Sequence, residues 1–294
     1  MIIVITGPTG VGKTKLSIEL AKHYNAEIIN GDSVQVYKGL DIGSAKVTEE
    51  EKEGITHHLF DIKEVIEDYS IYDYQKDCRE MITEITNRGK NVIIVGGTGL
   101  YIKSALYNYQ LDEQVIENNY EGISTEEIYQ RLLRVDPEIV IDRYNRKRVI
   151  RALDYYLATG KSIRTNNLGK ELLYKAVFIG LTTDREKLYQ RIDERVDKMI
   201  EQGLVKEVEG FYKQGIRSKI LNSAIGYKEL YKYFDGEITL DESISLIKQK
   251  SRHYAKRQYT FFRNQFNIKW IDVNFDDFYK TIEEAIEYIE KTTN

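Results

Sequence analysis

Residues 1–14 read MIIVITGPTGVGKT, an apolar strand that runs directly into the phosphate-binding pattern G-x-x-x-x-G-K-[ST] and then into an amphipathic helix. Gly7 and Gly12 let the backbone bend, so that successive amide N–H groups face an anion at the N-terminus of a helix. Lys13 supplies a full positive charge, and Thr14 offers a hydroxyl to a Mg²⁺ ion. The pattern predicts a polyphosphate site formed by Gly7, Thr9, Gly10, Val11, Gly12, Lys13 and Thr14.

Strands and helices alternate through the first hundred residues, as is typical of a parallel sheet with crossover helices. The patterns predict strands over 2–6, 26–30 and 91–96, and helices over 13–24, 70–88 and 99–107. Together with the phosphate-binding loop, this alternation predicts an α/β fold: a P-loop NTPase-like parallel sheet core with helices on both faces.

The alternation stops after residue 107. Residues 109–119 are polar and irregular, and residues 125–160 carry Leu, Ile and Val at the three- and four-residue spacing of helices. A strand pattern returns over 175–181, Asp184 caps the helix after it, and a short last strand over 269–273 precedes a terminal helix. We therefore expect a core domain of residues 1–107 and 174–294, with a helical insertion domain over 108–173.

The ends of two predicted strands indicate group transfer. An ATPase or a switch protein would carry an acidic metal ligand after a second strand, but the strand over 91–95 is followed by Gly96-Gly97-Thr98-Gly99. The strand over 26–30 is followed by Asp32. Because the carboxyl ends of parallel strands meet at one edge of a sheet, we expect Asp32 beside the phosphate-binding loop.

Two clusters of basic residues predict contact with RNA. Either cluster alone would be an ordinary solvated helix face, but both occur beside the same predicted site. Aromatic residues are interleaved with the second cluster, and we expect them to stack on unpaired bases. The first cluster is Arg143, Arg146, Lys147, Arg148 and Arg151, and the second is Lys250, Arg252, His253, Lys256, Arg257 and Arg263, with Tyr254, Tyr259, Phe261 and Phe262.

Composition excludes several classes of protein. The 294 residues have 41% hydrophobic content and a single cysteine, Cys78, so an internal disulfide is excluded. The sequence has no run of 18 apolar residues, and Met1 leads straight into a strand, so we expect a cytoplasmic protein with no signal peptide and no membrane partner.

Four other polar residues are expected to have mainly structural roles. We expect His57 and His58 to be structural or to lie at a channel edge. For Asp41 and Asp61, a turn or cap role is the first expectation, and contact with Mg²⁺ or substrate is the second.

The chain resembles the bacterial tRNA dimethylallyltransferases, also called tRNA isopentenyltransferases, over nearly its whole length. Besides GPTGVGKT, the matching runs are GDSVQVYKGLDIGSAK at 31–46, HHLFD at 57–61, GGTGLY at 96–101, KRVIRAL at 147–153, GYKE at 226–229 and YAKRQ at 254–258. The order and spacing of these runs make the resemblance specific. Two departures from the family pattern are Ser223, where many relatives have Gln or Arg, and a short insertion between Tyr109 and Ser124.

The resemblance implies transfer of a dimethylallyl group from dimethylallyl diphosphate to N6 of the adenosine on the 3′ side of the tRNA anticodon. It implies Asp32 as general base, Thr98 near the reacting amine, and Lys13, Thr14 and Mg²⁺ on the departing diphosphate. The implied partner is the anticodon stem-loop of tRNA, and the protein is expected to be a monomer. The implied tRNA contacts are Asp32, Ser33, Val34, Gln35, Thr98, Lys147, Arg148, Val149, Ile150, Arg151, Lys256, Arg257 and Gln258.

Three other functions remain open at this point. A nucleotide or small-molecule kinase shares the phosphate-binding loop, but it leaves the basic helix near the C-terminus without a role. A prenyltransferase that acts on free adenine nucleotide leaves the basic cluster of the insertion with little to bind. A simple RNA-binding module does not explain the pairing of Lys13 with Asp32.

Overall fold

The structure is a computed structural model that describes residues 1–109, 111, 118–163 and 169–293. It divides into two compact units, one of residues 1–105 and 174–294 and the other of residues 106–173. Most of the polar segment predicted at 109–119 lies outside the described residues.

A six-stranded sheet forms the centre of the first unit. Its strands are β1 (Ile2–Thr6), β2 (Ala26–Asn30), β3 (His57–His58), β4 (Asn91–Val95), β5 (Ala176–Thr182) and β6 (Lys269–Asp272). They lie in the order β3-β2-β4-β1-β5-β6, and every neighbouring pair is parallel. β1 and β2 are buried along their whole length. Residues 2–5 of β1 are accordingly apolar throughout rather than alternating, whereas β2 also buries the polar side chains of Glu27 and Asn30. The predicted α/β fold is confirmed.

The described residues form ten helices. They are α1 (Lys13–His23), α2 (Ile71–Asn87), α3 (Gly99–Leu106), α4 (Thr125–Val135), α5 (Arg146–Thr159), α6 (Arg185–Glu201), α7 (Leu204–Lys213), α8 (Tyr227–Phe234), α9 (Leu240–Gln265) and α10 (Phe278–Thr293). Side chains cap several of them: Ser70 and Asp73 form a capping box at α2, and Asp184 caps α6 as predicted.

The order of the strands positions the helices of the first unit. The chain moves from β1 outward to β2 and then back to β4, and right-handed crossovers in opposite directions place α1 and α2 on opposite faces of the sheet. α1 packs with α10, while α2 packs against β2 and β4. The carboxyl ends of β1, β2 and β4 consequently meet at one edge, where the loops that follow these strands come together.

The second unit has its own small core between α4 and α5. Ile128, Leu132 and Leu153 are buried in this core together with Val149, which is only 1% exposed. The expectation that Val149 contacts tRNA is corrected, because the core encloses its side chain. Arg146 also makes structural contacts within this unit, because its guanidinium donates hydrogen bonds to two backbone carbonyls at 2.6 and 2.8 Å.

Within the residues that the structure describes, no helix is long and apolar enough to cross a membrane.

Candidate active site

The phosphate-binding loop lies between β1 and α1 and depends on glycine. Gly7, Gly10 and Gly12 have positive φ values of 135°, 86° and 91°, a region that other residues rarely adopt. A Cβ atom on Gly7 would lie 2.6 Å from the carbonyl oxygen of Leu181, and one on Gly12 would lie 2.8 Å from the ring of Phe278. Since side chains are excluded there, the loop backbone can face an anion at the N-terminus of α1.

Lys13 lies at the start of α1, and its ammonium group turns back toward the loop. Its Nζ donates hydrogen bonds to the carbonyl oxygens of Gly7 at 3.0 Å and Pro8 at 2.7 Å. Burial lowers the pKa of Lys13 to about 7, and repulsion from Arg195 contributes, while the negative charge of Asp32 opposes the shift. The sequence suggested a full positive charge here, but this geometry makes the charge depend on pH near neutrality.

Arg195 is a second cation of the site that the sequence analysis did not identify. It lies on α6 and lines the same cavity as Lys13, and burial lowers the pKa of its guanidinium, whereas Asp32 and Glu51 favour the charged form. One turn earlier, Nε of Arg191 donates a 3.0 Å hydrogen bond to the carbonyl of Gly10, which fixes α6 against the phosphate-binding loop. A signal for Arg195 existed in the sequence, because it interrupts the otherwise apolar face of α6.

Asp32 is held in place by the strand that precedes it. The Asn30 side chain accepts a hydrogen bond from the Asp32 N–H at 2.9 Å and donates one to the Asp32 carbonyl at 3.0 Å. Oδ1 of Asp32 accepts a hydrogen bond from the N–H of Val34 at 2.9 Å. Asp32 lines the cavity, and a Cβ built on Gly97 would lie 3.7 Å from its Oδ2. Oδ1 is engaged in the turn that follows β2.

Thr98 lies next to Asp32 through a short hydrogen-bond network. The Ser33 N–H donates to Oγ1 of Thr98 at 3.1 Å, and that hydroxyl donates to Oγ of Ser33 at 3.2 Å. Tyr254 of α9 lines the cavity beside them and is in hydrogen-bond contact with Thr98 and Gln258. Burial raises the pKa of Tyr254, so its phenol stays protonated.

Gln258 joins the two halves of the site. Its Oε1 accepts a hydrogen bond from the Thr9 N–H at 3.2 Å, and its Nε2 donates to the carbonyl of Gly97 at 3.0 Å. The side chain is 5% exposed and lines the cavity. Its observed contacts are therefore made within the protein, between the loop after β1 and the loop after β4.

Most of the aromatic residues of α9 pack inside the protein and do not face a ligand. Phe262 is fully buried, Phe261 lies against Gly99, and the Tyr259 hydroxyl is 3.0 Å from Oγ1 of Thr182. The expectation that these three rings stack on bases is wrong, because they pack against the core and β5. The aromatic residue of the group that lines the cavity is Tyr254.

The basic residues of α9 divide into structural and exposed groups. Arg252 pairs with Asp193 at 2.5 Å, and Arg263 stacks on Tyr259 and Trp270. The exposed members are Lys250, His253, Lys256, Arg257 and Arg263, of which Arg257 lines the cavity. In the second unit Lys147, Arg148 and Arg151 are exposed and Ile150 is half-buried.

The cavity has a volume of about 410 Å³ and is lined by both polar and apolar side chains. The charged and polar residues of its lining include Lys13, Arg195, Asp32, Ser33 and Gln35. The apolar residues of its lining include Val34, Val196, Met199, Leu204, Ile220, Ala224 and Ile247. Ser223 also lines the cavity, and its hydroxyl donates to the Ile220 carbonyl at 3.2 Å. Such a cavity suits a molecule with an anionic head and a short hydrocarbon tail.

The remaining candidate residues make structural contacts. Asp41 and Asp61 both pair with Lys46, at 2.6 and 2.5 Å. His58 lies 2.6 Å from Glu27, a carboxylate in β2 that is also bound by Arg88 and Lys90. His57 lines the cavity, and its Nδ1 is 2.8 Å from the carbonyl of Ile55.

The donor set of the cavity fits a Mg²⁺ ion held mainly by phosphates. Thr14 is exposed in the first turn of α1 and lines the cavity. Within the described part of the chain, no group of three or more His, Cys, Asp or Glu residues could hold a metal by itself. Mg²⁺ commonly keeps several waters and takes one or two protein ligands plus substrate phosphates, so one hydroxyl beside the phosphate-binding loop is compatible with it.

Comparison with known proteins gives one consistent family. The family model described as IPP transferase matches residues 35–265. The tRNA dimethylallyltransferase of Anoxybacillus flavithermus is 52% identical to the chain, covering 98% of it and 96% of the relative, and that of Geobacillus kaustophilus is 50% identical with the same coverage.

Solved structures agree with this result. The tRNA isopentenylpyrophosphate transferase of Bacillus halodurans has a TM-score of 0.78 at 42% identity, covering 99% of this chain and 96% of that one. A eukaryotic dimethylallyltransferase acting on tRNA has a TM-score of 0.86 at 31% identity, covering 99% of this chain and 79% of that one.

Proposed function

The chain belongs to the IPP transferase family, and we propose that it transfers a dimethylallyl group from dimethylallyl diphosphate to N6 of the adenosine 3′-adjacent to the anticodon in tRNA. The resemblance to this family that the sequence suggested is confirmed. The observation that carries the mechanism is a cavity lined by Lys13, Arg195 and Asp32, which interact electrostatically, and also by apolar side chains.

The phosphate-binding loop receives the diphosphate of the donor. Backbone amides from Gly7, Gly10, Val11 and Gly12, together with the ammonium of Lys13 and the guanidinium of Arg195, stabilise the charge that grows on the leaving diphosphate. Thr14 would hold a Mg²⁺ ion, which supplies further neutralisation of that charge when bound.

Because Ser223 stands where many relatives have Gln or Arg, another residue is needed to bind the diphosphate together with Lys13, and Arg195 is suited to that role. A serine hydroxyl bonded to the Ile220 carbonyl offers no charge to a phosphate, whereas Arg195 brings a half-buried guanidinium to the same cavity. We therefore assign to Arg195 the role of the second cation, beside Lys13, that binds the diphosphate.

Asp32 acts as the general base on the acceptor. As the bond between N6 and C1 of the allylic group forms, the bond between C1 and the diphosphate oxygen breaks, and the amine proton passes to the carboxylate of Asp32. Thr98 and Ser33 lie within the same hydrogen-bond network and orient the amine. The apolar side chains of the cavity lining cover the hydrocarbon tail and keep water from the allylic carbon.

Exposed basic residues provide the tRNA contacts. On α9, Arg257 lies about one turn from the cavity-lining Tyr254, and Lys256 lies two residues from it; both are exposed and suit the phosphate backbone near the target nucleotide. Lys147, Arg148 and Arg151 of the second unit present a separate basic surface. The anticodon stem-loop as ligand, the cytoplasmic location and the monomeric state remain predictions.

The test is an assay of purified protein with Mg²⁺, dimethylallyl diphosphate and an unmodified tRNA that has adenosine beside the anticodon, with free AMP run in parallel. We expect N6-dimethylallyl adenosine in tRNA and little product from AMP. Asp32→Ala should lower turnover about 10²-fold or more while tRNA binding is kept. Asp32→Asn is the matched variant, because it preserves an acceptor for the Val34 N–H but cannot take the proton.

Two results would refute the assignment. One is normal turnover by both Asp32 variants. The other is activity that requires ATP and a small acceptor, which would indicate a kinase.

A further inference from the structure

Glu207 of α7 binds a loop that forms part of the cavity wall. Its Oε2 accepts hydrogen bonds from the N–H groups of Asp41 at 3.2 Å and Ile42 at 2.8 Å, and its Oε1 accepts one from Gly43 at 3.1 Å. The hydroxyl of Tyr227 donates a further hydrogen bond to Oε1 at 2.5 Å. Hydrogen bonds to a carboxylate are stronger than those between neutral groups, so this one side chain binds three successive amides firmly.

Tyr227 fixes the same loop by packing. Its ring is fully buried at the start of α8. A Cβ atom on Gly43 would lie 2.5 Å from the ring carbon Cε2, so the ring lies directly against the bare backbone of Gly43. Residues 41–43 are therefore held on two sides, by the carboxylate of Glu207 and by this ring.

The held loop continues into residues that line the same cavity as Asp32. Nε2 of Gln35 donates hydrogen bonds to the carbonyl oxygens of Ser44 at 3.0 Å and Ala45 at 3.3 Å. Gln35, Ser44 and Ala45 all line the cavity with Asp32. The orientation of the Gln35 amide thus depends on carbonyl groups that directly follow the three amides bound by Glu207.

We propose that Glu207 is a positioning residue for the acceptor adenosine. It holds residues 41–45 so that this loop and Gln35 present a fixed polar surface to the nucleotide next to Asp32. The proposal rests on the proposed function. The diphosphate is bound elsewhere in the cavity, by the phosphate-binding loop and α6, so loss of Glu207 should affect use of tRNA more than use of the donor.

Steady-state kinetics of Glu207→Ala, Glu207→Gln and Glu209→Ala test this. Glu209 lies on the same helix and pairs with Lys213 at 2.8 Å, which makes it a matched control. We expect Glu207→Ala to raise KM for tRNA about tenfold or more and to leave KM for dimethylallyl diphosphate within about twofold. The KM of Glu207→Gln for tRNA should lie between those of the unmodified protein and Glu207→Ala, because its amide oxygen still accepts hydrogen bonds. Both KM values of Glu209→Ala should equal those of the unmodified protein.

Hydrogen exchange of the amides of residues 41–43, measured without substrates, separates this proposal from the proposed function. Faster exchange in Glu207→Ala at an unchanged melting temperature supports the positioning role, even if the unmodified protein gives no prenylated tRNA. An equal rise of KM for both substrates, or an unchanged KM for tRNA, would overturn it. If Glu207→Ala does not fold, Glu207→Gln and Tyr227→Phe, which removes one donor and keeps the ring, provide the same comparison of the two KM values.

Discussion

The charge of Lys13 makes diphosphate binding depend on pH in the neutral range. Its pKa in the free protein is about 7, because burial and Arg195 disfavour the ammonium form more than Asp32 favours it. A bound diphosphate requires the protonated form and raises the pKa again. Binding above pH 7 must therefore take up a proton, and affinity must fall as the pH rises.

The size of the effect follows from the fraction of Lys13 that is protonated. With a pKa of about 7, that fraction is about one half at pH 7 and about one thirtieth at pH 8.5. The contribution of Lys13 to the binding constant should therefore fall about 15-fold over this range, while uptake approaches one proton per ligand.

Isothermal titration calorimetry with inorganic diphosphate, in buffers of different ionisation enthalpy, measures both quantities. Lys13→Arg is the control, because a guanidinium does not lose its proton in this range and the ionisation of the ligand is common to both proteins. Equal pH dependence in the two proteins, or no extra proton uptake by the unmodified one, would refute this account. Arg195→Gln should move the break in the profile to higher pH, since it removes the cation that repels Lys13.

Three further predictions follow from the same structure. Arg195→Gln should weaken diphosphate binding about 10- to 100-fold in the same titration, the effect of losing one charged hydrogen-bond donor; unchanged binding would remove Arg195 from the clamp. Burial alone would raise the pKa of Glu27, but hydrogen bonds from its basic neighbours hold this pKa at about 2. The carboxylate should therefore contribute about 3 kcal/mol to the free energy of unfolding, a contribution that is present above pH 4.5 and is lost on acidification toward pH 2. Urea unfolding of Glu27→Gln should show a shallower loss of stability over that interval, and an equally steep loss would contradict the assignment. Replacement of Lys256 or Arg257 by Gln should reduce the slope of log K for tRNA against log salt by about 1 if each contacts a phosphate, whereas an unchanged slope would mean that it does not.

Local features of the sequence were sufficient to predict the sheet and the phosphate-binding loop. β1, β2 and β4 are short, mainly apolar runs followed by loops, and their bounds agree with the predicted strands within one residue. The exception is β3, which has only the two residues His57 and His58 and pairs with β2 at the sheet edge. Two histidines carry no strand pattern, so only the tertiary pairing could reveal this strand.

The site was predictable where its chemistry lies in a motif and not where it depends on packing. Lys13, Asp32 and Thr98 come after β1, β2 and β4, and the carboxyl ends of parallel strands meet at one edge of a sheet. Arg195 comes from a helix that begins after the insertion, and whether a charged residue on such a helix faces solvent or a cavity is decided by tertiary contacts. The same limit applies to the aromatic residues of α9, where one helix face packs on the core and another borders the cavity.

Gln258 shows most clearly what a linear pattern cannot contain. Its two partners, Thr9 and Gly97, are 249 and 161 positions away in the chain, so neither contact leaves a local signal. A carboxamide is suited to this position because it accepts from one backbone and donates to another, which a carboxylate or an apolar side chain cannot do. Its Nε2 would lie 2.1 Å from a Cβ on Gly97, so the bridge also requires glycine there. Because one bridge fixes both the loop that binds the leaving group and the loop that carries Thr98, a change in either loop should disturb the geometry on both sides of the reacting carbon.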